Sequence, residues 1–153
     1  MGVQTTYTKR MKKGTPGLIL WDFGTADLTS AIAEGVIPFG YAVVQGSKAR
    51  TAIVGNVKVI GFATRSLMSI YSINNFVDAF GPQETVPVMR EGYVWCVNEG
   101  GAAVGDGTQV YADATGKVVN SAAAGALAVP GCRFEIGGAV GALVLVRVDI
   151  ITV

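Results

Sequence analysis

The stretch ALVLVRVDIITV, residues 142–153, decides the fold class. Leu143, Leu145, Arg147 and Asp149 alternate there with Val144, Val146, Val148 and Ile150. A period of two sends successive side chains to opposite faces of a sheet, and β-branched residues suit that pleated surface. Only the even set is apolar without interruption, so it is the expected core face. The apolar stretch 139–153 is too short to span a membrane as a helix, and Arg147 and Asp149 interrupt it.

Working outward, similar short segments recur between glycines. Cys132–Ile136 reads as a strand followed by a Gly137-Gly138 turn. Gln109–Ala112 and Lys117–Asn120 flank Asp113-Ala-Thr-Gly116, a tight turn in which Gly116 takes the positive φ, and the whole predicts a β-hairpin. Glu84–Met89 and Tyr93–Val97 read as two strands joined by an Arg90-Glu91-Gly92 turn. In the first half, Leu18–Phe23, Ile37–Val44 (with a bulge at Gly40), Thr51–Val54 and Val57–Ala63 are further strand candidates. Residues 28–35 fit either a turn or two of helix or an extended segment. Residues 66–80 read as extended, with room for one helical turn.

Of 153 residues, 21 are glycine; half are hydrophobic, but only 8% are aromatic. Short strands punctuated by glycine turns imply one all-β domain, a sandwich or barrel, with a jelly-roll-like arrangement preferred. Charged residues make up 15%, against roughly 25% in typical soluble domains. Such a surface implies burial in an oligomer or a larger assembly.

Charge is unevenly placed. Lys9, Arg10, Lys12 and Lys13 fall in the first twenty residues, which hold no acid; the remainder carries eight basic and eleven acidic residues. Gly14, Pro16 and Gly17 then interrupt regular structure. The chain therefore divides into a flexible basic N-terminal arm, residues 1–17, and a β-domain, residues 18–153. The arm's charge predicts contact with an acidic protein surface. Nucleic acid is the weaker expectation, because no aromatic platform accompanies the charge. Trp21, next after the arm, is the best-placed aromatic for an interface anchor. No targeting segment is legible in residues 1–13, so synthesis in the cytoplasm is expected.

Catalytic chemistry finds little support. The chain has no histidine, which removes the commonest general base and metal ligand. Ser47-Lys48 sits in an ordinary loop composition, and the carboxylate pairs Glu84/Glu91 and Asp106/Asp113 read as turn-solvating acids. The run GGAAVGDG, residues 100–107, precedes a strand, whereas a phosphate loop must open a helix. Cys96 and Cys132 are expected as buried free thiols; without histidine they make no zinc site. The chain is expected to be no enzyme, to take no metal or cofactor, and to bind neither nucleic acid nor membrane.

One resemblance covers most of the chain, in order. Pro16-Gly17, then Glu34 and Ile37-Pro-Phe39-Gly40, Gly61-Phe-Ala63, Arg90-Glu-Gly-Tyr-Val-Trp95, and the Gly105-Asp-Gly to Val110-Tyr-Ala-Asp113 hairpin with Thr115-Gly116 follow one another as in the tailed-phage head-decoration, or structural cement, proteins. Residues 66–80 and the alanine run 122–124 depart from that pattern. The resemblance implies a virion protein on the outer capsid surface. It would join neighbouring major-capsid subunits of the expanded shell as a homo-oligomer, a dimer or trimer, without catalytic residues. Lys9, Arg10, Lys12, Lys13 and Trp21 are then the expected capsid or oligomer contacts. A tail, fibre or adhesin module is the alternative.

Overall fold

The computed structural model describes residues 15–20, 26–65 and 78–150. Among the described residues eleven strands run in chain order: β1 Asp27–Ala33, β2 Ile37–Pro38, β3 Ala42–Gln45, β4 Thr51–Val54, β5 Val59–Ala63, β6 Ala79–Phe80, β7 Thr85–Val97, β8 Gln109–Ala112, β9 Val118–Val119, β10 Leu127–Ile136 and β11 Leu143–Asp149. The all-β expectation holds, and of residues 28–35, left open by the sequence, 28–33 are extended within β1 and 34–35 form a bend after it.

Five strands close on themselves. The order β1-β4-β3-β5-β7 returns to β1 through a β1–β7 pairing, which makes a barrel. One contact in the ring is parallel, β1 with β4 (Ile32↔Thr51, Ala33↔Ala52); the others are antiparallel. Interior space falls with strand number, and a five-stranded ring has room mainly for small side chains. The residues inside are Ala31, Ala33, Ala52 and Ala63 with Val43, Val86 and Val88. Ile37, Phe39 and Phe80 belong to the same core. They come from the β2–β6 pair and its flank, where Ile37 faces Phe80 across the two strands.

From β7 the sheet continues as β11-β10-β8-β9, a second leaf. A second core fills the space between this leaf and the outside of the barrel wall. Ala42, Phe62 and Met89, which lie in one row across β3, β5 and β7, pack there with Val94, Cys96, Val110, Cys132, Phe134, Val144, Val146 and Val148. The even residues of β11 thus face the core as their alternation predicts.

β7 belongs to both halves and changes face between them. Leu28 pairs with Met89 and Asp27 with Glu91, so Arg90 is one extra residue, a β-bulge. Before it, Val86 and Val88 point into the barrel; after it, Val94 and Cys96 join Met89 in the second core. The expected turn at Arg90-Glu91-Gly92 is therefore a bulge within one continuous strand of 13 residues. Charged residues beside a glycine resemble a turn in composition, and only the neighbouring strands decide otherwise.

Candidate functional site

The predicted contacts Lys9, Arg10, Lys12, Lys13 and Trp21 lie outside the described residues. What the structure brings together instead is the set of short motifs spread along the sequence. Gly17, at φ +76°, donates its N–H to the Trp95 carbonyl (2.7 Å), and its own carbonyl accepts from Arg65 N–H (2.7 Å). Trp95 N–H donates to the Leu18 carbonyl and Leu20 N–H to the Tyr93 carbonyl, so residues 18–20 run antiparallel along β7 about one isolated bridge, Ile19↔Val94. Gly40, at φ +80°, donates to the Ala63 carbonyl. A Cβ there would stand 3.1 Å from the Trp95 carbonyl and 3.2 Å from Gly17 N. Pro16-Gly17, Phe39-Gly40, Ala63 and Trp95 thus form one close backbone crossing, and glycine is needed at both contacts.

Arg65 secures this crossing. Its guanidinium pairs with Asp78 at 2.7 Å, donates to the Pro16 carbonyl at 3.2 Å, and lies 4.8 Å from the centre of the Phe39 ring. Phe39 meets Phe80 edge-on at 4.9 Å. Beside the crossing is a concavity of about 210 Å³ lined by residues that include Pro16, Phe39, Tyr41, Asp78 and Glu99. Burial, then the charge of Glu99 and the hydrogen bond to it, push the Tyr41 phenol up to about 12, so it stays protonated. Its hydroxyl donates to Glu99 Oε1 at 3.3 Å.

The remaining motifs also hold loops in place. Asp113 Oδ1 accepts from Thr115 N–H, Thr115 Oγ1 and Lys117 N–H, closing the β8–β9 turn. That turn docks on the barrel where the Gly116 carbonyl accepts from Ala42 N–H. Glu34 Oε1 accepts from Thr51 Oγ1, Ser47 Oγ and Ser47 N–H at 2.6–2.8 Å, which ties the end of β1 to the β3–β4 hairpin loop and to the start of β4. These hydroxyl bonds hold the Glu34 carboxyl below its usual range. Asp106 Oδ1 accepts from Gly137 N–H at 2.7 Å and Glu84 Oε2 from Gly81 N–H at 2.7 Å. These acids bind backbone at turns, as their sequence context suggested. Among the described residues no group of three or more His, Cys, Asp or Glu could hold a metal ion. Cys96 and Cys132 are free and buried.

A second concavity, of about 280 Å³, lies on the outward face of the second leaf. Gln109, Gly131, Cys132, Arg133, Arg147 and Asp149 line it. Arg133 and Arg147 are exposed and are direct cross-strand partners on β10 and β11. The sequence signals for this pair were the outward parity of each arginine on its own strand; their pairing required the register.

The structural cement protein model, exemplified by E217 gp24 and Pam3 gp6, matches residues 3–149. The chain belongs to that family. In this cement protein the short motifs build the crossing and the docked turn. The fold of this cement protein also resembles a chain in the solved capsid of Myoviridae phage XM1. The TM-score is 0.71 at 19% identity, over 97% of this chain and 98% of the other. No curated protein matches.

Proposed function

We propose that this cement protein decorates the outer surface of a phage head and stabilises the expanded shell by bridging neighbouring major-capsid subunits. The observation that carries this reading is the family match over nearly the whole chain. The surface supports it: few charges overall, and exposed Leu28, Ile32, Val36 and Ile53 around the β1–β4 wall of the barrel. Anything that binds only the expanded shell stabilises it by mass action, and many repeated sites make individually weak contacts sufficient. In this reading the protein acts as a dimer or trimer. The basic arm, Lys9, Arg10, Lys12 and Lys13, lies on acidic capsid surface, with Trp21 as an anchor. Reversing those four charges weakens capsid binding and flattens its salt dependence; unchanged binding rules the arm out.

Cryo-electron microscopy of particles from the native source tests the whole reading. Density for this chain on the outer shell, spanning neighbouring capsid subunits, is the expected result. Density in the tail, or none on the particle, overturns it.

A further inference from the structure

Four side chains stand in one row across four strands of the second leaf: Tyr93 on β7, Arg147 on β11, Arg133 on β10 and Gln109 on β8. Their neighbours Val94, Val146 and Phe134 face the core, so the row faces outward. At its centre two guanidinium groups are directly opposed. Cross-strand partners have Cβ atoms about 5 Å apart, and like charges so placed destabilise a sheet. Neither arginine has a carboxylate within ion-pair distance among the described residues, although the chain satisfies three other basic side chains that way, Arg65, Arg90 and Lys117. The row is also held in shape. The two N–H groups of Gln109 Nε2 are shared among the carbonyls of Val110, Val129 and Cys132, all within hydrogen-bond distance, which fixes β8 against the irregular stretch of β10 between Ala128 and Arg133.

We infer that the Arg133–Arg147 pair is a docking site for a carboxylate side chain of the capsid protein, an inference that rests on the decoration reading above. A guanidinium offers a planar fork of donors that matches a carboxylate, and two facing forks surround one carboxylate group from both sides. The occupant is a protein acid rather than a polyanion. The described residues carry eight basic against ten acidic side chains, and Asp149 stands in the wall of the concavity itself. An extended polyanion needs a basic stripe along its length, whereas one carboxylate needs only the two facing guanidiniums, set beside Asp149.

The test compares wild type, Arg133→Gln/Arg147→Gln and Arg133→Lys/Arg147→Lys for binding to expanded capsids from the native source stripped of this protein, over a range of salt. The glutamine variant should bind about tenfold or more weakly, with a shallower salt dependence. The lysine variant, which keeps charge and loses the fork, should fall between the two. Free in solution, the glutamine variant should unfold at the same or a higher temperature than wild type, because a repulsion has been removed. Equal capsid binding by wild type and the glutamine variant overturns the inference and leaves the decoration reading standing. A lower unfolding temperature assigns the arginines a structural role and overturns it as well. Loss of self-association with capsid binding retained assigns the pair to a second copy of the chain, which also overturns it. Failure of wild type to bind capsids removes the decoration reading itself, and this inference with it.

Discussion

Replacing Gly17 with alanine tests whether the crossing of the entering chain with β7 holds the fold. Two costs act together. At φ +76° an L-residue pays about 1 kcal/mol for the left-handed conformation. The new Cβ also stands 2.7 Å from Arg65 N and 2.8 Å from Phe39 Cβ, closer than real Cβ atoms approach. The neighbours are backbone and a ring stem, so the segment must move, and the bonds to Trp95 and from Arg65 lengthen or break. At about 1 kcal/mol each, the total loss is about 3 kcal/mol. Gly107→Ala supplies the control. Its φ is +77°, but a Cβ there meets nothing within 4 Å, so only the conformational term of about 1 kcal/mol remains. Urea unfolding of the two variants should therefore differ by about 2 kcal/mol. In thermal melts Gly17→Ala should lose about 6–12 °C and Gly107→Ala about 2–4 °C. Equal losses would refute the reasoning, because they would mean that the packing at Gly17 carries no energy beyond its φ.

Three further outcomes follow from single groups. Burial raises both thiols, Cys132 to about 12 and Cys96 further, so neither forms a thiolate at pH 8. A colorimetric thiol reagent should leave the native protein unmodified and titrate two thiols in guanidinium; rapid native labelling would contradict the burial. The Glu34 carboxyl titrates lower in the folded than in the unfolded chain, whose value lies near 4.5. Its stabilisation is present above that value and is lost as pH falls through the lower folded one. Urea unfolding from pH 6 to pH 3 should show Glu34→Gln with a smaller acid-induced loss than wild type, and parallel curves would refute this. The Asn98 amide N–H₂ donates to the carbonyls of Ala102 and Gly138, while its Oδ1 has no partner among the described residues. Asn98→Ala should cost about 2 kcal/mol in urea unfolding by stranding two acceptors. Asn98→Asp should cost more at pH 7, because a carboxylate donates nothing and faces the same carbonyls. A neutral alanine variant would show that those bonds are dispensable.

Strands whose own residues carried the signal were legible in the sequence. Thr51–Val54 and Gln109–Ala112 match β4 and β8 to the residue, and the β11 alternation gave the correct core face. β1 was left open because its buried positions are Ala31 and Ala33, residues with little strand preference. Their reason lies in the narrow ring around them. The β7 bulge was misread as a turn for a related reason: a bulge is a relation between two strands, and Arg90-Glu91-Gly92 carries no mark of its partner. The same limit hid the arginine pair, since Arg133 and Arg147 are 14 positions apart in sequence and become neighbours only through the β10–β11 register. The arm and Trp21 lie outside the described residues. The motif order was legible as a family resemblance, but that Pro16-Gly17, Phe39-Gly40 and Trp95 meet at one crossing was not.

The bulge and the arginine row have a common origin. β11 pairs with β7 from Leu143↔Val97 to Asp149↔Glu91 without a shift, so every face assignment on β11 is tied to that of residues 91–97. β10 takes its face from β11 in turn, through Arg133↔Arg147 and Phe134↔Val146. Without the extra residue at Arg90, Tyr93 and Trp95 would follow Met89 into the second core, and Arg147 and Arg133 would turn inward with them. Two guanidiniums that have no carboxylate partner among the described residues cannot be buried without several kcal/mol of desolvation each, so that register is closed to this sequence. One inserted residue thus fixes both which side chains fill the second core and which face carries the arginine pair.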